Sequence, residues 1–164
     1  MKPSIFRTLI DYEHRKWLGE SLGLSSFTYN GIDLIDNKFG VEIKSRYREY
    51  SLNFAVHSYQ IDYFKNINND LKLFWAFLLY DLKMPIKKIN RKRIKDLIFN
   101  REAWIFDWEW INQFEISDVK TGPYIYVGKR NFPDNNYFNK FEKGNGIIYL
   151  PKNSVLESRL NLNI

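Results

Sequence analysis

Apolar residues recur at three-, four- and seven-residue intervals over residues 4–22. Phe6, Leu9, Ile10, Trp17, Leu18 and Leu22 mark one helical face, and Gly23 supplies a stop. The period then shortens. A strand is expected over residues 26–29, followed by two short apolar runs, 31–35 and 41–47. Asp36-Asn37-Lys38-Phe39-Gly40 separates those runs, turn-forming residues between β-branched segments, which predicts a hairpin. A second helix is expected over 57–68. Residues 71–82 are apolar on both faces and rich in aromatic residues, as in a buried strand. The basic segment 85–100 reads as helix or loop, and the Trp-rich segment 103–114 as a strand. Residues 124–127 and 146–150 are further short strands, with a long polar loop, 130–145, between them.

Repeats, low-complexity tracts and Gly/Ser linkers are missing, so the pattern predicts one domain over 1–164 with a mixed α/β fold. A core of about residues 1–82 would carry a strand- and loop-rich elaboration over about 83–164.

Composition narrows the chemistry. The 164 residues contain no cysteine, which excludes disulfides, thiolate zinc sites, iron–sulfur clusters and thiol nucleophiles. Two histidines, His14 and His57, are too few for a His-rich metal site, so a metal would need oxygen ligands. His57, just before the second helix, reads as a helix-start residue. A formal charge of +6 and a pI near 9.4 point to a polyanionic partner. That charge is densest at Lys83, Lys87, Lys88, Arg91, Lys92, Arg93 and Lys95, where no acidic residue intervenes. Ile86, Ile89, Ile94, Leu97 and Ile98 would anchor this segment while the cations face phosphates. The N-terminus lacks an apolar signal region, and the longest apolar run spans residues 73–80, far short of the roughly 20 residues of a membrane helix. A soluble cytoplasmic protein with no membrane partner is expected.

The hairpin carries the informative chemistry. Glu42 and Lys44 stand two apart on one strand and so share a face, while Val41 and Ile43 turn to the other. A four-residue loop, 36–39, closed by Ile35 opposite Gly40 places Asp33 directly opposite Glu42. A loop one residue longer would turn Asp33 to the other face. Two facing carboxylates repel without a counter-charge. A hard divalent cation such as Mg²⁺ resolves this, with the Ile43 carbonyl as a further ligand. Lys44 would orient or deprotonate a water, or stabilise charge on a phosphate. Asp, Glu and Lys around one metal are the parts that metal-assisted phosphodiester hydrolysis needs.

The segment Ile32-Asp33-Leu34 … Val41-Glu42-Ile43-Lys44-Ser45 resembles the signature of the PD-(D/E)XK nuclease superfamily, which includes restriction enzymes, homing endonucleases and Holliday-junction resolvases. The resemblance covers roughly residues 8–82, and Ile32 stands where the proline of the name would be. It implies a restriction-endonuclease-like core, a central mixed sheet flanked by helices. It further implies a Mg²⁺ cofactor, with Mn²⁺ as a substitute and Ca²⁺ as a non-catalytic mimic. Many members carry a glutamate on the first helix. Here Phe6, Ile10, Glu13, Trp17 and Glu20 fall within about 80° of a helical wheel. Glu13 is the first choice for that metal-facing role and Glu20 the alternative. Gln60, on the second helix among core-facing residues, corresponds to a glutamine that holds the site or the DNA backbone in some members.

Ser45 and Arg46 follow the lysine and are placed for phosphate contact. Lys129 and Arg130 begin a loop whose Arg, Lys and Asn side chains suit base-edge reading. Trp104, Phe106, Trp108 and Trp110 read as sheet core and as a dimer face. The elaboration favours a site-specific restriction or homing enzyme acting on double-stranded DNA, with a junction resolvase as the alternative. A non-catalytic DNA-binding protein of the same fold is the competing class. Cleavage of both strands needs two sites, hence a homodimer or homotetramer.

Overall fold

A computed structural model describes residues 1–29, 31–67 and 70–161. Helix α1 (Pro3–Leu22) begins with proline at a position where a missing N–H costs nothing. It ends at Gly23, whose left-handed backbone (φ 66°) lets the Leu24 N–H return to the Gly19 carbonyl at 2.9 Å. Three antiparallel strands follow, β1 (Ser25–Tyr29), β2 (Ile32–Ile35) and β3 (Phe39–Tyr47). After the short strand β4 (Asn53–His57), helix α2 (Ser58–Asn66) leads to the long strand β5 (Lys72–Leu82). His57 caps α2, accepting from the Tyr59 N–H through its ring, as its position in the sequence implies. Of the stretch expected to be helical, Asn68 lies outside the described residues.

The second half departs from its sequence pattern in several places. Segment 83–97 consists of two 3₁₀ turns and a one-turn helix, α3 (Ile94–Leu97). Strand β6 (Ile98–Asp107) starts five residues before the expected strand, and the expected strand's last residues form a 3₁₀ turn, Trp108–Gln113. Strands β7 (Ile116–Val119), β8 (Gly122–Gly128), β9 (Phe138–Lys143) and β10 (Gly146–Pro151) precede the short helix α4 (Glu157–Asn161). β9 lies inside what reads as a polar loop: its sequence, Phe-Asn-Lys-Phe-Glu-Lys, has only two apolar residues, three apart, and so lacks a period of two.

Seven strands form one mixed sheet in the order β1-β2-β3-β5-β6-β10-β9, and β4-β8-β7 form a small antiparallel sheet. β3 runs parallel to β5, and β6 parallel to β10. The large sheet thus runs without a break from the first half of the chain into the second. β5 is buried on both faces and sorts its side chains by parity. Phe74, Ala76, Leu78 and Tyr80 meet Phe6, Ile10, Trp17 and Leu18 of α1, with Ile89, Ile94, Leu97 and Leu160. Leu73, Trp75, Phe77 and Leu79 meet Ile61 and Phe64 of α2 together with Phe54, Val56, Ile125 and Val127 of the small sheet. The result is three layers, with α1 on one side of the sheet and α2 plus the small sheet on the other. Among the described residues no helix is long and apolar enough to cross a membrane.

Candidate active site

The hairpin register is the one that a four-residue loop demands. Ile35 pairs with Gly40 and Leu34 with Val41, and just beyond the last pair the Asp33 and Glu42 carboxyl groups come within reach of each other. Asp36 shapes the turn, its carboxylate accepting from the N–H groups of Lys38 and Phe39, both at 2.8 Å. The β2–β3 backbone ladder stops at Leu34. One step further on, the Ile43 N–H donates to Asp33 Oδ2 at 2.8 Å, so a side chain replaces the backbone partner and the strands open. The N–H and C=O of one strand residue leave the same edge, so the Ile43 carbonyl faces this opening as well.

Four residues meet there. Lys44 Nζ lies 2.8 Å from Glu42 Oε1, and Gln60 Nε2 donates to the same oxygen at 2.8 Å from α2. The register β3–β5 pairs Glu42 with Trp75 and Lys44 with Phe77, which puts both functional side chains on the α2 face of the sheet. Glu42 and Gln60 are buried, Asp33 and Lys44 half-buried. Burial, with the Glu42 carboxylate next and within hydrogen-bond reach, pushes the Asp33 carboxyl well above the usual range, up to about 7. The Ile43 N–H and Lys44 oppose this. Two adjoining carboxyl groups disfavour each other's charged form.

Helix α1 brings Asp11 to this edge, not Glu13. Ser45 Oγ donates to Asp11 Oδ1 at 3.4 Å, and Arg15 Nη1 stands 4.0 Å from Asp33 Oδ1. Burial raises the Asp11 carboxyl, opposed first by Arg15 and then by Ser45, Arg7 and Lys44. Glu13 lies on the far edge of the helix, beside Arg101 of β6, whose Nη1 donates to the Glu13 carbonyl at 3.4 Å. Glu20 is exposed. A signal for Asp11 was present in the sequence: Arg7, Asp11 and Arg15 form an i, i+4, i+8 stripe of alternating charge.

The cations divide between two layers. Lys87, Lys88, Arg91, Lys92, Arg93 and Lys95 are all exposed, and the buried residues Ile89, Ile94, Leu97 and Ile98 seat their segment on the α1 side. Arg46 shares the Lys44 face and donates through Nε to the Asn53 carbonyl at 3.0 Å. Arg130 is exposed, while Lys129 is engaged by Glu102 at 3.1 Å and lies over the Trp104 ring. Trp104 and Phe106 are buried in the sheet core and Trp108 and Trp110 half-buried against it.

A cavity of about 450 Å³ lies away from the carboxylates, at the sheet end lined by Arg48, Asp81, Asn100, Arg101 and Glu102. Its charges already neutralise one another: Arg48 pairs with Asp81 at 2.9 Å and with Glu102 at 3.3 Å. The carboxylate grouping lies instead at the opening between β2 and β3.

Asp33 and Glu42 fit a hard divalent cation, being two adjoining carboxyls whose repulsion a cation would relieve. No group of three His, Asp or Glu side chains is gathered for a metal among the described residues, so this pair would leave further positions to the Ile43 carbonyl, water and substrate oxygens. No family model, curated protein or solved structure matches the chain.

Proposed function

We propose that the chain is a Mg²⁺-dependent endonuclease that hydrolyses phosphodiester bonds in double-stranded DNA, built on a PD-(D/E)XK core. The observation that carries this reading is the meeting of Asp33, Glu42, Lys44 and Gln60 at the point where β2 and β3 part. The order helix, hairpin, helix, strand, with β3 parallel to β5, agrees with it.

In this reading Asp33, Glu42 and the Ile43 carbonyl hold the metal, with Mn²⁺ able to substitute. Bound there, the ion supplies Lewis-acid polarisation of a phosphate oxygen and a more acidic water. The chain's own residues do the rest. Gln60 fixes the Glu42 carboxylate by a hydrogen bond, so its free oxygen keeps one direction. Lys44, tethered to Glu42, is placed to orient or deprotonate the attacking water or to balance charge on the phosphate. Asp11 and Arg15 set the charge balance from the α1 side. Arg46 and the 83–95 segment contact backbone phosphates. Two copies in a symmetric dimer or tetramer would cut both strands. The basic, loop-rich second half favours site-specific cleavage of the restriction or homing kind.

Supercoiled plasmid with Mg²⁺ provides the test. Wild type is expected to nick and linearise it, with Lys44→Ala slower by roughly 10²- to 10⁴-fold. A wild type that leaves plasmid intact, or a variant that cuts equally well, overturns the proposal.

A further inference from the structure

On the outer face of the small sheet four rings form an unbroken series. Tyr59, in the first turn of α2, lies 4.4 Å from His57 between ring centroids. His57 lies 4.8 Å from Tyr124, and Tyr124 lies 5.9 Å from Tyr126. The β4–β8 register explains the grouping: His57 faces Tyr124 and Ala55 faces Tyr126, while Phe54, Val56, Ile125 and Val127 turn inward. Tyr59 is 57% exposed and Tyr126 47%, in a chain that buries Phe54, Phe64, Trp75, Phe77 and Phe106 almost completely. Every exposed large aromatic residue among those described is a tyrosine.

The series is held in place. His57 Nδ1 accepts from the Tyr59 N–H at 3.1 Å, which fixes the ring's orientation. Gly122, at φ 120°, makes room for it: a Cβ there would stand 2.5 Å from His57 Nε2. Both ends join elements of the candidate site. Tyr59 directly precedes Gln60, which holds Glu42. At the other end Asn53 faces Gly128, its carbonyl accepts from Arg46, and Lys129 and Arg130 follow. A strip of rings, inclined to one another by 42°, 74° and 34°, thus runs from the helix turn that carries Gln60 to a basic corner.

We propose that this strip is a stacking platform for unpaired nucleobases of the strand being cut. The inference rests on the nuclease reading above and moves its substrate from a continuous duplex to a duplex that carries an unpaired stretch, toward the branched-DNA alternative. Bases inside a duplex have both faces covered by their neighbours, so rings such as these serve a strand that has left the helix, at a flap, branch or bubble. Stacking tolerates any sequence, because every base has a π-face. The exposed cations Arg46 and Arg130 at the strip's end favour an anionic occupant over a second copy of this basic chain. Phosphates answer those cations.

The experiment uses the full chain in EDTA with two oligonucleotide probes, one fully paired and one carrying a single-stranded flap with 2-aminopurine beside the branch. Wild type is expected to bind the flap more tightly and to quench the 2-aminopurine. Tyr59→Ala and Tyr126→Ala should each weaken flap binding by roughly 5- to 100-fold and leave duplex binding within about twofold. Tyr126→Phe should bind as wild type does. If the duplex is bound, and cut with Mg²⁺, but the alanine variants treat both probes as wild type does, the platform fails and the nuclease reading stands. If neither probe is bound, the platform fails, and plasmid cleavage with Mg²⁺ decides the nuclease reading separately. If the alanine variants dissociate an oligomer in sedimentation without loss of flap affinity, the face joins copies of the chain and the proposal is overturned.

Discussion

Asp33 holds its proton because burial and the Glu42 charge act in the same direction, and only the Ile43 N–H and Lys44 oppose them. A carboxyl raised above its unfolded value binds more protons folded than unfolded, so it favours the folded state at low pH. That contribution is lost as pH rises from about 4 to about 7. Asp33→Asn keeps an acceptor for Ile43 and removes one of the two like charges. At pH 8 in EDTA it should raise stability by about 1–2 kcal/mol, a Tm increase of roughly 2–8 °C by calorimetry, while abolishing Mg²⁺-dependent cleavage. In wild type, Mg²⁺ should raise Tm more at pH 8 than at pH 6, because at pH 6 binding must displace the Asp33 proton. His14 works in the opposite sense. Fully buried, its ring is depressed to about 3, so it takes stability away as pH falls below 6.5.

The first helix offers a second comparison at this scale. Asp11→Asn should lower the cleavage rate by about 10- to 100-fold, the usual penalty for removing a group that positions a site. Glu13→Gln should leave the rate near wild type, because Glu13 sits by Arg101 on the other edge. Steady-state rates of both variants decide between the two acids.

Among the elements, the connection between β5 and β6 combines two demands: its isoleucines and Leu97 bury in the α1-side core, and its cations stay in water. Replacing Lys87, Lys88, Arg91 and Arg93 by glutamine should therefore leave the fold intact and weaken DNA binding. The dependence of log K on log salt should flatten by about 0.9 for each phosphate contact removed. The division of apolar and basic residues was legible along the chain. The layer that carries the segment was not. β4 and β9 were illegible for a related reason, since β4 offers only Phe54 and Val56 as large buried side chains, β9 only Phe138 and the half-buried Phe141, and both depend on neighbours supplied from distant sequence.

At the scale of the molecule, α1 ties the two halves together. Trp17 Nε1 donates to the Lys143 carbonyl at 2.9 Å, and the Arg101 guanidinium lies 4.6 Å from its ring centroid. Gly146 of β10 leaves space for that ring: a Cβ would come within 2.5 Å of Trp17 Cζ2 and 2.9 Å of Arg101 Cβ. Gly146→Ala should destabilise by about 1–3 kcal/mol through overpacking, measured as a lower denaturant midpoint. The shared sheet also means that β5 borrows half its ladder from β6. Residues 1–82 do not form a unit with a complete core of their own.

Local rules determined more of the site than its size suggests. A four-residue loop fixes the pairs Ile35–Gly40 and Leu34–Val41, because strand parity leaves two choices and loop length selects one, and that register directs Asp33 toward Glu42. Unbroken apolar character made β5 a central strand for a similar reason, as both its faces must be covered. What tertiary structure decided is how separate elements lie across one another. A helical wheel ranks Glu13 with the apolar face but carries no information on which edge of the helix overhangs the hairpin. Only the seating of α1 on the sheet brings Asp11 to Ser45. Likewise Gln60 reaches Glu42, and four rings line up beside it, because packing under the small sheet sets positions that no spacing within the chain encodes.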